Sequence, residues 1–172
     1  MEDILNKIVA SKRQEVAASR LKLSFADLRA MSADTMASRH SMKLALKASR
    51  YGIIAEFKRK SPSRGWIHRD ADFRSIIPAY CAAGASAVSI LTDREYFGGS
   101  LDYISRIRPE VDIPILRKDF IIDEYQLYEA RLAGADAVLL IAACLSRREY
   151  QDLLGRAHEL GLEGLLELHS PS

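Results

Sequence analysis

The sequence predicts an α/β fold in which short parallel strands alternate with helices. From Gly52 onward there are five apolar runs of strand length, at residues 53–55, 87–91, 113–116, 137–141 and 164–168. Most are hydrophobic at every position, as is typical of a parallel strand that is covered on both faces. The segments between them have helical periodicity, for instance the one that Asp123 opens with Gln126 three residues later. The spacing of the strands settles near the size of one βα unit.

A short motif repeats where predicted helices end and strands begin. GASAV at 84–88 recurs as GADAV at 134–138 and, more loosely, as GLEGL at 161–165. Each time a glycine closes a helix and a strand follows within three residues. Repeated βα units of this size form either a doubly wound sheet or a (β/α)8 barrel. Because no glycine-rich nucleotide-binding motif follows a strand, the barrel is favoured.

Residues 1–50 are predicted to form a helical extension before the barrel segment at 51–172, within the same single domain. Ser24 is a candidate N-cap, with Asp27 three positions later. A further helix is predicted near residues 41–47. The first helix is indicated by apolar residues at helical spacing, which are Ile4, Leu5, Ile8 and Val9.

The composition narrows the class of protein. A chain of 172 residues with 48% hydrophobic and 28% charged residues is typical of one soluble domain. A net charge of +2 is too small to favour nucleic acid or a membrane surface as a partner. No apolar run approaches the about 18 residues that span a bilayer, and no signal peptide is recognisable. Cys81 and Cys144 lie in apolar segments without pairing or metal-ligand spacing, which predicts reduced core residues of a cytoplasmic protein.

Charged residues follow the predicted strands, at the edge where parallel α/β folds carry their sites. The first strand runs into Glu56 and Lys58. The third runs into Lys118, and the fifth carries Glu167 and His169. Residues two apart on a strand share a face, so Glu56 and Lys58 are expected to project together. A rim of both signs suits proton transfer on an anionic substrate, although surface salt bridges are the alternative.

The first of these strand ends continues into a basic loop. Residues 56–65 (EFKRKSPSRG) place cations beside Ser-Pro-Ser and glycine. Hydroxyls, backbone N–H groups and lysines together suit a phosphate or a carboxylate. Loops of this composition are also common as solvated turns.

Four stretches together resemble a known family. Residues 54–63 (IAEFKRKSPS) are similar to the first-strand signature of indole-3-glycerol phosphate synthases. Three further stretches resemble the family's second-, third- and fifth-strand segments, in the same order. They are 91–100 (LTDREYFGGS), 115–121 (ILRKDFI) and 165–169 (LLELH). The resemblance covers the whole chain, including the helical extension that the family places over the mouth of a TIM barrel. It is specific because the four motifs occur in order.

The resemblance implies a reaction and its catalytic residues. The family converts 1-(2-carboxyphenylamino)-1-deoxyribulose 5-phosphate into indole-3-glycerol phosphate, releasing carbon dioxide and water, without cofactor or metal. By this resemblance Lys118 is expected to be the general acid in ring closure. Glu167 is expected to be the partner acid/base for dehydration, and Glu56 to orient the network. Lys58 is a further candidate proton donor.

The resemblance also implies the residues that bind this phosphorylated, anthranilate-derived substrate. Lys58 is expected to meet its carboxylate and phosphate, and Ser61 to line the same pocket. An apolar wall for the anthranilate ring is expected from Phe97, Phe120 and Leu139. This agrees with the general need of a planar aromatic group for an apolar slot.

Some positions carry no catalytic expectation. His169 is expected to be structural, and no metal site is predicted because His40, His68 and His158 lack ligand spacing. Asp93 stands where the family more often has glutamate. Residues 170–172 stand where the family usually has acidic residues.

The number of strands sets a further expectation. A (β/α)8 barrel typically has about 250 residues, and roughly 200 at the least. Five strands without closure leave two exposed sheet edges, which favour pairing with another strand. The chain is therefore expected to be a piece of a longer chain or to pair with another chain, to have weak or no activity alone, and to be capable of self-association through these edges.

Two rival interpretations remain open at this stage. Lys58 and Lys118 at strand ends could form imines, which would make the protein a Schiff-base aldolase. A non-catalytic barrel fragment that assembles through its exposed edges is the second alternative.

Overall fold

The computed structural model of the protein describes residues 2–33 and 40–168. The α-helices are α1 (Glu2–Lys22), α2 (Phe25–Ala33), α3 (Met42–Ala48), α4 (Phe73–Ala82), α5 (Asp102–Ile107), α6 (Glu124–Ala133) and α7 (Arg147–Glu159). The strands are β1 (Ile54–Phe57), β2 (Lys60–Ser61), β3 (Gly65–Trp66), β4 (Ala87–Leu91), β5 (Ile115–Lys118), β6 (Ala137–Ile141) and β7 (Glu163–Glu167). Short 3-10 helices at Arg108–Glu110 and Ala142–Cys144 follow α5 and β6.

Five of the strands form one parallel sheet in the order β1-β4-β5-β6-β7. The helices α4, α5, α6 and α7 connect successive strands of this sheet. This arrangement confirms the predicted fold class, a partial (β/α) barrel of five strands. The strands β2 and β3 form a separate antiparallel hairpin within the connection from β1 to α4.

The strand positions agree closely with the apolar runs, and the largest displacement is at the third strand of the sheet. The third barrel strand was expected at 113–116 but runs from Ile115 to Lys118. Pro114 has no N–H to donate to a sheet ladder, so a strand interior does not include it. Every residue of β4 and β6 is buried, as predicted for strands covered on both faces. The edge strand β7 is only partly covered.

Helices cover both faces of the sheet. Between the sheet and α4–α7 lies the main core, whose strand members include Val88, Ile90, Ile115, Val138 and Leu140. On the opposite face, Met42 of α3 packs against Ala87, Leu116 and Ala137. Successive side chains of a strand point to opposite faces, which explains the division of β4 and β6 between the two clusters. At the carboxyl ends of the strands, this second face lines a cavity together with α1.

Local signals fix the ends of the helices. Asp123 and Gln126 form a capping box at the start of α6: the Asp123 side chain accepts from the Gln126 N–H, and the Gln126 side chain accepts from the Asp123 N–H. Gly134 ends the helix with a φ of +89°, a conformation that glycine adopts without steric cost. At the start of α2, Ser24 Oγ accepts a hydrogen bond from the Asp27 N–H at 3.2 Å. These caps confirm the predicted helix starts.

The first two helices wrap around one side of the barrel. Val16 of α1 and Leu28 of α2 pack with Tyr125 and Tyr128 of α6. The earlier turns of α1 lie across the carboxyl ends of the strands, because Ile8 and Lys12 contact residues there. Within 2–33 and 40–168, no helix is a candidate for crossing a membrane.

Candidate functional site

The carboxyl ends of the strands and the helix α1 enclose a cavity of about 420 Å³. This volume lies within the range of about 300–1,000 Å³ that is common for small-molecule sites. Most of the lining is apolar, and α1 contributes Ile4, Leu5 and Ile8. Charged groups are confined to the strand ends, where they are Glu56, Lys58, Lys118, Asp119 and Glu167. The cavity therefore combines an apolar slot with a charged floor.

One carboxylate connects the two lysines of the floor. Lys118 Nζ donates to Glu56 Oε2 at 2.7 Å, and Lys58 Nζ donates to Glu56 Oε1 at 2.8 Å. Glu56 ends up between them because β1 pairs with β4 and β4 pairs with β5, so the ends of β1 and β5 face the same opening. The predicted common projection of Glu56 and Lys58 is confirmed. All three side chains remain partly exposed to the cavity.

The same contacts set the ionisation of Glu56. Burial alone would raise the pKa of this carboxyl, but hydrogen bonds from Lys118 and Lys58 outweigh it and hold the pKa below its ordinary value. Glu56 is therefore a carboxylate at neutral pH and works as a fixed acceptor between two ammonium groups. It is suited to orienting them rather than to donating a proton.

The expected apolar wall lines the cavity. Phe97, Phe120 and Leu139 are all part of the lining, and the two phenylalanine rings lie with centroids 6.0 Å apart, tilted by 39°. Glu167, the last residue of β7, lines the cavity on the side of β6, where it pairs with Ile141 in the ladder. Seven of the eight predicted site residues thus meet around one space.

Ser61 is the exception. It belongs to β2 and begins the turn of the β2–β3 hairpin, outside the lining of the cavity. Its Oγ accepts a hydrogen bond from the Arg64 N–H at 3.3 Å and lies 3.5 Å from Ser63 Oγ. The hydroxyl stabilises the turn in this arrangement, and this explains why it does not point into the cavity.

The predicted non-catalytic positions have mixed outcomes. His169 and residues 170–172 lie outside the described residues. Cys81 and Cys144 are free thiols, as expected, but both are only half-buried. In the described part of the chain, no group of three or more histidine, cysteine, aspartate and glutamate side chains could hold a metal ion. The expected reaction without metal or cofactor stays a prediction.

Sequence reasoning missed a buried ionic cluster beside the cavity. Lys12 of α1 contacts Asp93 at 3.0 Å and Asp119 at 2.9 Å. Asp119 also accepts from Thr92 Oγ1 at 2.6 Å and from Arg117 Nη2 at 3.1 Å. A signal was present, since Lys12 lies four residues after Ile8 and therefore on the apolar face of α1.

A second, larger depression of about 720 Å³ lies between α6 and α7. Its charged residues are largely satisfied by one another, as Arg156 pairs with Glu124 and Glu159 and Arg20 pairs with Asp123. It is wide open and includes none of the predicted site residues. Because its charges are paired with one another and exposed to solvent, this depression is a poorer candidate than the apolar cavity at the strand ends.

Comparison of the sequence with known proteins indicates its family. The family model for indole-3-glycerol phosphate synthase matches residues 5–172. The chain belongs to the indole-3-glycerol phosphate synthase family. This confirms the resemblance that the four strand-end motifs indicated.

Individual relatives give the extent of the similarity. The indole-3-glycerol phosphate synthase of Bacteroides thetaiotaomicron is 59% identical over 170 residues, which are 99% of this chain and 65% of that protein. The one from Neisseria meningitidis serogroup C is 47% identical over 175 residues, covering 100% of this chain and 67% of the relative. The one from Azoarcus sp. is 46% identical over 172 residues, covering 98% and 65%. The chain thus spans about two thirds of the length of the curated relatives it matches.

Proposed function

We propose that the protein catalyses the formation of indole-3-glycerol phosphate from 1-(2-carboxyphenylamino)-1-deoxyribulose 5-phosphate, as a carbon-carbon lyase of tryptophan biosynthesis. The observation that carries the proposal is the floor of the cavity. One ionised carboxylate, Glu56, holds two lysines at the edge of an apolar slot between two phenylalanines. A substrate with an aromatic ring, a carboxylate and a phosphate needs this combination of an apolar wall and nearby cations.

The chemistry assigns the first proton transfer to Lys118. Ring closure joins the aromatic carbon that bears the carboxylate to the carbonyl carbon of the sugar chain. The electron pair of the carbonyl bond moves to oxygen, which takes a proton from the Lys118 ammonium and becomes a hydroxyl. Lys118 fits this role because it ends β5 inside the cavity and Glu56 fixes its ammonium at 2.7 Å.

Two further steps balance the reaction. Loss of the carboxylate as carbon dioxide returns its bonding electrons to the ring and restores aromaticity. The new hydroxyl then leaves as water with a proton from a general acid, while a base removes a proton from the adjacent methylene carbon, and this forms the carbon–carbon double bond of the five-membered ring. Glu167 is the proposed acid/base partner, since it lines the cavity on the side opposite β1. No oxidant is needed, because carbon dioxide and water account for the whole difference between substrate and product.

Binding is assigned to the remaining residues of the lining. Lys58 lines the cavity beside the apolar slot, which supports its proposed contact with the substrate's carboxylate and phosphate. Phe97, Phe120 and Leu139 offer apolar surface for the anthranilate ring. Ser61 lies in the hairpin turn, outside the lining of the cavity, and its place in the substrate pocket stays a prediction. A cytoplasmic location and self-association through the edges β1 and β7 also stay predictions.

The test is turnover of the substrate, followed by the fluorescence of the indole product. The chain is assayed beside a chimera that adds the part of the Bacteroides thetaiotaomicron relative beyond the matched region. In the active form, Lys118→Met should lower kcat by about 100-fold or more, the range for loss of a general acid. The matched control is Lys47→Met, which removes an exposed lysine from α3. Absence of product from both folded forms, or equal kcat for the two variants, would contradict the proposal.

A trapping experiment separates this reaction from the aldolase alternative. A Schiff base between substrate and Lys58 or Lys118 would be reduced by borohydride to a stable adduct. Acid/base ring closure predicts an unlabelled protein by mass spectrometry. A stoichiometric adduct on either lysine would favour the aldolase.

A further inference from the structure

A buried lysine lies in the middle of the apolar face of α1. Ile8, Lys12 and Val16 follow one another at intervals of four residues and are 4%, 1% and 6% exposed. Residues at this spacing lie on one face of a helix, so the lysine occupies a core position between two aliphatic side chains. A lysine at such a position is costly unless its charge is fully paired.

The ammonium of Lys12 has an acceptor for each of its three protons. Glu15 Oε2 lies at 2.8 Å, Asp119 Oδ1 at 2.9 Å and Asp93 Oδ2 at 3.0 Å. Glu15 is on α1 itself, whereas Asp93 follows β4 and Asp119 follows β5. The lysine therefore joins the helix to two neighbouring strand ends.

Both aspartates continue this connection into the wall of the cavity. Asp93 Oδ1 accepts from the Phe97 N–H at 3.2 Å and from the Tyr96 N–H at 2.8 Å. Asp119 Oδ1 accepts from the Phe120 N–H at 2.8 Å. Each aspartate thus holds Lys12 and the backbone of one of the two phenylalanines that line the cavity.

The charges in this cluster reinforce one another. Burial alone would lower the pKa of Lys12, but the carboxylates of Asp119 and Asp93 outweigh it and raise the pKa above its ordinary value. Burial would raise the pKa of Asp119, yet the charges of Arg117 and Lys12 hold it below its ordinary value. Lys12 and Asp119 therefore stay charged across the neutral range, and the ion pair between them persists there.

We propose that Lys12 is a positioning residue of the site: its ammonium holds α1 against Asp93 and Asp119, and so keeps the helix wall and the two phenylalanines in the arrangement that receives the aromatic ring. The inference rests on the proposed function only in the identity of that ring. Ile4, Leu5 and Ile8 reach the cavity from α1, so a helix that leaves the strand ends would open the slot to water.

The variants are Lys12→Met, which keeps the length of the side chain but removes its charge, and the matched control Lys22→Met. Lys22 is an exposed lysine at the end of the same helix. Because Lys12→Met leaves two buried carboxylates close together, it can fail to fold. The double variant Lys12→Met/Asp93→Asn avoids this, since it removes one charge of each sign and keeps an amide oxygen for the Phe97 and Tyr96 N–H groups.

Two readouts are measured on each variant: hydrogen exchange by mass spectrometry, and the dissociation constant of anthranilate from its fluorescence. We expect the double variant to lose protection in α1 by about tenfold or more while β4, β5 and β6 keep theirs. We expect its anthranilate dissociation constant to rise by about tenfold, because the apolar wall is no longer held. The Lys22→Met variant should stay within about twofold of the parent protein in both measurements.

Unchanged exchange in α1 of a folded double variant would overturn the proposal, as would unchanged anthranilate affinity with an exposed α1. An equal loss of protection in α1 and in the central strands would also overturn it, because Lys12 would then be a general stability residue. A parent protein that does not bind anthranilate would count against the proposed function alone, and the exchange of α1 would still decide whether Lys12 holds the helix.

Discussion

Replacement of Glu56 by glutamine tests the arrangement of the two lysines. Glutamine has nearly the same shape but only one acceptor oxygen and no charge, so it cannot hold Lys118 at 2.7 Å and Lys58 at 2.8 Å together. Two unit charges 4 Å apart interact by about 4 kcal/mol at an effective dielectric constant of 20. Water reduces this value strongly here, because Glu56 is 27% exposed and each lysine 34%.

The expected effects on stability and on turnover are therefore very different. Partly exposed ion pairs contribute about 0.2–1 kcal/mol each, so the free energy of unfolding should fall by no more than about 2 kcal/mol. A displacement of the Lys118 ammonium by about 1 Å, in contrast, can lower kcat by about 100-fold. Urea unfolding and the indole fluorescence assay measure the two quantities on the same preparation, in whichever form of the protein turns over.

The control is Glu110→Gln, at an exposed position after α5. It should leave both kcat and the free energy of unfolding within error of the parent protein. A Glu56→Gln variant that keeps kcat within about threefold, while Lys118→Met loses it, would refute the idea that Glu56 positions the general acid.

Three further predictions concern stability and reactivity. Glu56 and Asp119 have lowered pKa values, so their stabilising contribution is fully present above the ordinary carboxylate pKa of about 4 and is lost as the pH falls through the lowered values. The free energy of unfolding should therefore decrease in acid. The Glu56→Gln variant should show a smaller decrease. Gly99→Ala should destabilise the protein by about 1–3 kcal/mol in urea unfolding, because its Cβ would lie 2.2 Å from the carbonyl oxygen that ends β4. Gly155→Ala, inside α7 with nothing within 4 Å of a Cβ, should instead stabilise it by about 0.5–1 kcal/mol, and the opposite order would contradict the packing of the β4–α5 connection. Burial and the charge of a nearby glutamate raise the pKa of Cys144 to about 11. Its thiolate fraction at pH 8 is therefore small, and the higher nucleophilicity of such a thiolate offsets this only in part, so its alkylation by iodoacetamide should be about tenfold slower than that of a free thiol. An equal rate would contradict this environment.

The sequence contained most of the information on the strands and turns. Continuous apolar runs are determined by burial on both faces, which is why β4 and β6 were predicted with their observed bounds. The end of α6 was predictable from Gly134, because a helix that ends in a left-handed residue strongly favours glycine at that position. Residues in the strand-end motifs met in space because parallel strands bring their carboxyl ends to one edge.

The remaining features depend on contacts between distant parts of the chain. Lys12 meets Asp93 and Asp119, and the spacing of α1 alone could show only that a cation interrupts an apolar face. Ser61 was expected in the pocket through its motif, but the hairpin of β2 and β3 turns it towards Arg64. The residues of α1 that line the cavity were predicted to form one apolar stripe, but the surface that this stripe covers was not predicted. Local periodicity shows which face is buried but not what it is buried against.

A crystal structure of the Lys118→Met variant with bound substrate would show whether the cavity at the strand ends is the active site. The variant should bind the substrate without turning it over. We expect the aromatic ring between Phe97 and Phe120, the carboxylate beside Lys58, and the carbonyl oxygen at the place of the missing ammonium, next to Glu56. A substrate bound in the depression between α6 and α7, or one whose carbonyl faces away from position 118, would contradict the assignment of this cavity as the active site.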